Sequence, residues 1–197
     1  MPAFDSRLDP ALVERIRITG PAVDEARRPD PGIMRTFAEQ GLLRLVVPPS
    51  YGGTGAGPGE FLAFVESVAR VHASTAWTVM TCNEEAGIAS AYLQPEPMRH
   101  LFAERPDVII AGSGVPKGRA FRVDGGWRVS GTWDFVSGCT AADELVLGAL
   151  VVDENEQIIK PAEICFVLVP VAETEIVDTW HTAGLAGTGS NDVILTG

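Results

Sequence analysis

The chain has 197 residues, 46% of them hydrophobic, and a formal net charge of −11. That is room for one large domain or two small ones with a real core, and no apolar run is long enough to span a bilayer. Nine Asp or Glu against one Lys between Asp143 and Asp178 make a solvated acidic face that repels phosphate backbones and argues against a nucleic-acid partner.

The N-terminus, MPAFDSRLDP, has neither the basic start nor the apolar stretch of a secretory signal. Residues up to 104 read as helical. Met34, Phe37 and Ala38 lie at helical spacing and the pattern stops at Gly41. RLVVPPSYGGTGAGPG is rich in proline and glycine and reads as a loop. Pro58 restarts a helix whose apolar face is Phe61, Phe64, Val65 and Val68, with Glu66 and Arg70 as an i, i+4 pair outside. Ser74 is the expected N-cap of a long helix, TAWTVMTCNEEAGIASAYL. A short helix follows with Met98, Leu101 and Phe102 inward.

After Pro106 the period changes. DVIIAGSG is a short apolar run entering a glycine turn, and RAFRVDGGWRVSGTWDFVSG alternates around a tight turn at Asp124-Gly125-Gly126. ELVLGALVV and EICFVLVPV read as buried strands, with DENEQ as the turn between them, and NDVILTG as a last strand. Helices precede strands, so the expected class is α+β: an all-helical domain over 1–104, then an antiparallel β-barrel or sandwich domain over 105–197. The sequence stops at Gly197, in or just after an apolar strand. That leads us to expect a fragment or a sheet that another chain completes. An unpaired strand edge and an uncovered apolar face favour association, so a homo-oligomer (dimer or tetramer) is expected.

Chemistry-bearing residues are sparse. Cys82, Cys139 and Cys165 form no CxxC pair, and no zinc-type spacing or other metal motif is present. That usage suits a soluble, reduced, cytoplasmic protein. GSGVPKG lacks the Rossmann glycine spacing, and GLAGTGSND has no lysine after its glycines. His72 and His100 read as helix-face residues, His181 as a surface-loop residue and Cys139 as a buried thiol. Trp77, Asn83 and Glu84 read as packing residues or as the border of a substrate cavity. The segment SGTWDFVSG is more distinctive. Strand alternation puts Trp127, Val129, Trp133, Phe135 and Ser137 on one face. Such a face either fills a core or forms a wall for a flat conjugated ligand, with the hydroxyl available to a ring heteroatom.

Three stretches, in order, resemble the acyl-CoA dehydrogenase superfamily: GLLRLVVPPSYGGTGAGPGEFLAFVESVAR, WRVSGTWDFVSG and DTWHTAGLAGTGSNDV. Together they span nearly the whole chain. SGTWDFVSGC and GLAGTGSNDV resemble the flavin-dependent monooxygenase branch, the two-component hydroxylase and desulfurisation type. Where the dehydrogenases carry an acidic loop of the form Thr-Glu-Pro-x-x-Gly-Ser-Asp, this chain has GSGVPKGRA, which counts against acyl-CoA oxidation.

The resemblance implies an N-terminal helical domain, a middle β-domain and, beyond them, a C-terminal helical bundle that is absent here. It implies FAD or FMN as cofactor, arriving as reduced flavin from a partner flavin reductase, with O₂ and a small aromatic or heterocyclic substrate. Phe135 would lie against the isoalloxazine, Ser137 near its N5 edge, and Gly112 and Ser113 at its pyrimidine end. The active-site base would belong to the bundle, so no catalytic residue is assigned and this fragment alone is expected to be inactive. The alternatives are an FAD-dependent acyl-CoA dehydrogenase and a truncated, non-catalytic chain acting only through association.

Overall fold

The computed structural model describes residues 8–197; most of the stretch read above as lacking a secretory signal lies outside the described residues. Five helices come first: α1 (Pro10–Ala26), α2 (Pro31–Glu39), α3 (Pro58–Ala69), α4 (Ala73–Tyr92) and α5 (Pro95–Glu104). Four of them open on proline, whose fixed φ suits the first helical position and whose missing N–H is not needed there. Asp9 and Asp30 cap α1 and α2 by accepting from the backbone N–H of Ala11 and Ile33, each at 2.9 Å. None of these helices is long and apolar enough to cross a membrane.

Helix α4 is the centre of the molecule. It is buried around much of its circumference, from Ser74 to Ala89, as expected of a helix sandwiched between layers. On one side the α2–α3 core meets it, with Phe37 and Phe64 edge to face at 6.5 Å. Asn83 secures that side: its Oδ1 accepts from Leu45 N at 2.7 Å and its Nδ2 donates to the carbonyls of Leu42 and Val79. The helix does not start where expected. His72 is the N-cap, and its Nδ1 accepts from Thr75 N, so His72 is not a helix-face residue. Ser74 lies inside the first turn and turns its hydroxyl to Asp24.

Six strands form one sheet in the order β4-β3-β1-β2-β6-β5: β1 (Ile110–Val123), β2 (Gly126–Val136), β3 (Glu144–Val152), β4 (Ile164–Pro170), β5 (Glu175–Val177) and β6 (Asn191–Leu195). Three details differ from expectation. The run DVIIAGSG does not end in a turn but continues as β1, with an irregularity between Ser113 and Gly118. Strands β1 and β3 are parallel, whereas every other neighbouring pair is antiparallel. The segment after β2 turns through Cys139–Ala141 and brings β3 up on the far side of β1. Strand β4 is half-exposed rather than buried, because it is the sheet edge. Arg35 of α2 joins the layers by donating to Asp107 O at 2.8 Å and Asp143 Oδ1 at 2.9 Å, while Asp143 Oδ2 accepts from Ile109 N.

The aromatic face expected on β2 is broken. Pairing with β6 runs Trp133↔Val193 and then Val136↔Asn191, one residue longer on β2. This is a β-bulge, and Phe135 within it has φ +60°. The alternation therefore inverts: Trp133 and Val136 are fully buried, while Phe135 is 66% exposed. Trp133 is a core residue, not a ligand wall. Its ring occupies space left by Gly118 and Gly131, where an added Cβ would come within 2.4 Å and 2.8 Å of it, and its Nε1 donates to Gly148 O at 2.8 Å. Truncating Trp133 to alanine should therefore cost about 3–5 kcal/mol of stability. Phe135→Ala should change it by less than about 0.5 kcal/mol. Urea denaturation of the two variants measures this; equal losses would return both rings to the core.

Candidate functional site

The bulge sends two neighbouring side chains to different places. Phe135 points out, while Ser137 is only 7% exposed. Ser137 N donates to Phe135 O at 2.9 Å, closing a tight turn. Gly138 follows with φ +79°, and an added Cβ there would lie 2.8 Å from Thr78 Cγ2 on α4. Only glycine fits both the backbone angle and the approach to the helix. Its N–H donates to Thr188 O at 2.9 Å, tying the end of β2 to the loop that precedes β6.

That loop supplies hydroxyls. Ser137 Oγ accepts from Trp77 Nε1 on α4 at 3.0 Å and lies 2.7 Å from Ser190 Oγ. Ser190 Oγ lies 2.7 Å from Thr188 Oγ1, which donates to Leu185 O at 2.9 Å. Ser190 and Thr188 are both buried. The same loop holds an aromatic neighbour for Phe135. Asn191 Oδ1 accepts from the N–H of Thr179 and Trp180, and the Trp180 ring stands edge-on to Phe135 at 6.0 Å. Phe135, Trp180 and the 42%-exposed Trp77 thus present aromatic surface around a buried hydroxyl. The last of the three resembling stretches includes Trp180, Thr188 and Ser190, but nothing in its spacing shows which of them turn toward β2.

Gly112 and Ser113 lie apart from this cluster. An added Cβ on Gly112 would sit 2.1 Å from Val146 O of β3 and 2.9 Å from the Glu85 carboxyl. Close packing of β3 and α4 thus accounts for that glycine. Ser113 is half-buried on the same strand. The two expected halves of the site meet through α4 rather than directly. Trp77 touches the Ser137 end and Glu85 the Gly112 end, about 12 Å apart along the helix at 1.5 Å per residue. Other candidates stay outside. His181 is an exposed loop residue beside Asp178 and Arg27, and His100 pairs with Glu104 on the surface of α5. Cys139 is buried, its thiol pushed up to about 11 by burial and directed at Gly189 O. No cluster of metal-ligating side chains exists among the described residues.

Glu85 is the residue the sequence did not single out. It is 8% exposed, and its Oε2 has no hydrogen-bond partner. Burial, with the Glu84 charge adding to it, pushes its pKa up from 4.5 to about 7. Between those values the folded chain holds a proton that the unfolded chain has released, so stability falls as pH rises through this window. At 1.36 kcal/mol per unit the cost reaches about 3 kcal/mol above pH 7. Glu85→Gln should abolish this slope. Its melting temperature should exceed that of the parent above pH 7 by several degrees, and the gap should close toward pH 4.5. A pH-independent gap would mean that Glu85 is charged at neutral pH.

Residues 12–93 match the family model of the acyl-CoA dehydrogenase N-terminal domain. The oxygenase subunit HsaA of a flavin-dependent monooxygenase from Rhodococcus jostii is 32% identical over 189 residues, which is 96% of this chain and 48% of that protein. The oxygenase component of an FADH₂-dependent resorcinol hydroxylase from a Rhizobium species is 33% identical, covering 93% of this chain and 44% of its own length. The crystal structure of the HsaA monooxygenase from Mycobacterium tuberculosis superposes with a TM-score of 0.85 at 27% identity, over 98% of this chain and 50% of that one. The chain therefore spans about half the length of the curated relatives it matches. Residues 12–93 thus carry the acyl-CoA dehydrogenase N-terminal domain, and over nearly its whole length the chain is similar to the oxygenase subunits of flavin-dependent monooxygenases.

Proposed function

We propose that this chain forms the helical and β-layers, divided near residue 105, of the oxygenase component of a two-component flavin-dependent monooxygenase. It takes up reduced FAD or FMN delivered by a separate reductase, and its substrate is a small aromatic or heterocyclic molecule. The observation that carries this reading is Phe135: a left-handed backbone holds a large ring in solvent immediately beside a buried, hydrogen-bonded hydroxyl. A non-glycine residue at positive φ stores strain, and an exposed phenylalanine forgoes the burial that usually offsets such cost. Stacking against a conjugated ring supplies the missing gain.

The residues fit a flavin. Phe135 would lie against the ring, Ser137 would meet its N5 edge, and Gly112 and Ser113 would lie toward its pyrimidine end, with α4 linking the two ends. Bound reduced flavin would supply the electrons that activate O₂. The chain itself orients the ring, covers the Ser137 edge with Trp77, and raises the pKa of the Glu85 carboxyl by burial to about 7, so that it is largely uncharged only below neutral pH. The names of the relatives, monooxygenase oxygenase subunit and FADH₂-dependent hydroxylase, support this reading, as does the loss of the dehydrogenase loop at GSGVPKGRA.

Anaerobic titration with reduced FMN and reduced FAD, followed by absorbance and tryptophan fluorescence, tests the proposal. Saturable binding is expected, weakened about three- to tenfold by Phe135→Ala, the worth of one aromatic contact. No binding of either flavin, or binding indifferent to Phe135, overturns it.

A further inference from the structure

The hydroxyls behind Ser137 have a fixed sense. Each carries one proton and two lone pairs. Thr188 gives its proton to Leu185 O, so the 2.7 Å contact between Thr188 and Ser190 is donated by Ser190. That spends the Ser190 proton, so the 2.7 Å contact between Ser190 and Ser137 is donated by Ser137. Trp77 Nε1, which can only donate, occupies one lone pair of Ser137. The run is Trp77 → Ser137 → Ser190 → Thr188 → Leu185 O. Reversing it would take the Thr188 proton from Leu185 O and leave the Ser137 proton without an acceptor, one hydrogen bond fewer in a buried place. Ser137 therefore has a single lone pair to offer a ligand and no proton.

We infer that this oriented chain of hydroxyls makes Ser137 an acceptor-only contact and so selects the reduced over the oxidised state of the flavin. The inference rests on the proposed placement of N5 at Ser137. A reduced flavin carries a proton on N5 and can donate it to the open lone pair. An oxidised flavin has an unprotonated N5 that needs a donor, and it obtains one only if the whole chain reverses. Ser190 and Thr188, which touch no part of the ring, act as positioning residues for the Ser137 proton. The cost of reversal is about one hydrogen bond, so the chain should favour reduced flavin by roughly tenfold.

The test is the ratio of dissociation constants for oxidised and reduced FMN, measured by titration in the same buffer with the full chain. Thr188→Val removes the acceptor for Ser190. The Ser190 proton can then turn to Ser137, the Ser137 proton is freed outward, and oxidised flavin should bind better, bringing the ratio down by about tenfold. Thr188→Ser keeps the acceptor and should keep the ratio. Ser190→Ala should lower the ratio as Thr188→Val does. Thermal melts of the three variants check that each is folded, and Thr188→Ser controls for loss of packing at a fully buried position. A parental ratio in Thr188→Val, with flavin still bound, overturns the oriented chain and leaves the proposed function intact. Failure of the parent chain to bind any flavin overturns both.

Discussion

The carboxylate of Asp24 holds together the parts of the molecule on which the candidate site depends. Asp24 lies near the end of α1 and is hydrogen-bonded by Ser74 Oγ at 2.6 Å, by Gly187 N at 2.9 Å and by His72 Nε2 at 3.2 Å. Partial burial pushes its pKa up, but the hydrogen bonds from Ser74, Gly187 and His72 outweigh this and leave it below the usual carboxylate value. One acceptor thereby fixes the start of α4 and the loop before β6 against each other. Gly187 cannot be larger, since an added Cβ would lie 2.5 Å from Val23 and 2.7 Å from Asp24 itself. Thr188 and Ser190 follow directly, so their reach toward Ser137 is set by a contact on the far side of the loop.

Around this tie the β-layer resolves a conflict between core and surface. Trp133 needs a large cavity, which Gly118 and Gly131 provide. Two residues later, strand alternation would have driven a second large ring toward the same core. The bulge releases it: one extra residue between Trp133 and Val136 puts Phe135 outside and restores Val136 to the interior. Ser137 lies just past the end of β2, where a tight turn closed by its N–H on Phe135 O holds its hydroxyl to Trp77. Bulges that redirect a side chain are a recurrent device, and here one inserted residue sets an exposed ring beside a buried hydroxyl.

Helix α4 carries the complementary tension. It must present small and polar residues to layers on both sides, and most of its buried polar groups are satisfied, Asn83 most completely. Glu85 is the exception, with one oxygen unpaired beside Gly112. A helix optimised only for packing would not keep a carboxyl there. Glu85 packs against Gly112 of β1, about 12 Å along the helix from Trp77.

Much of the architecture was legible in the chain. Proline at helix starts, the Phe61–Phe64–Val68 and Met98–Leu101–Phe102 faces and the Asp124-Gly125 turn are local signals, because capping, periodicity and turn geometry involve residues near in sequence. The ordered motifs PSYGG, WDFVSG and GLAGTGSND identified the superfamily for the same reason. What the chain could not show depended on partners distant in sequence. Period-2 alternation put Trp133, Phe135 and Ser137 on one face; the register against β6 separated them. Propensity offered Ser74 as a helix cap, but Asp24, fifty residues earlier, draws its hydroxyl away. The parallel pairing of β1 with β3, the unpaired oxygen of Glu85 and the direction of the Ser137–Ser190–Thr188 chain arise only when separate elements are brought within hydrogen-bond distance. The sequence by itself determined the order of helices before strands and the family that the chain resembles. Tertiary structure decided which side chains face the site, because orientation is a property of contacts between elements rather than of any one of them.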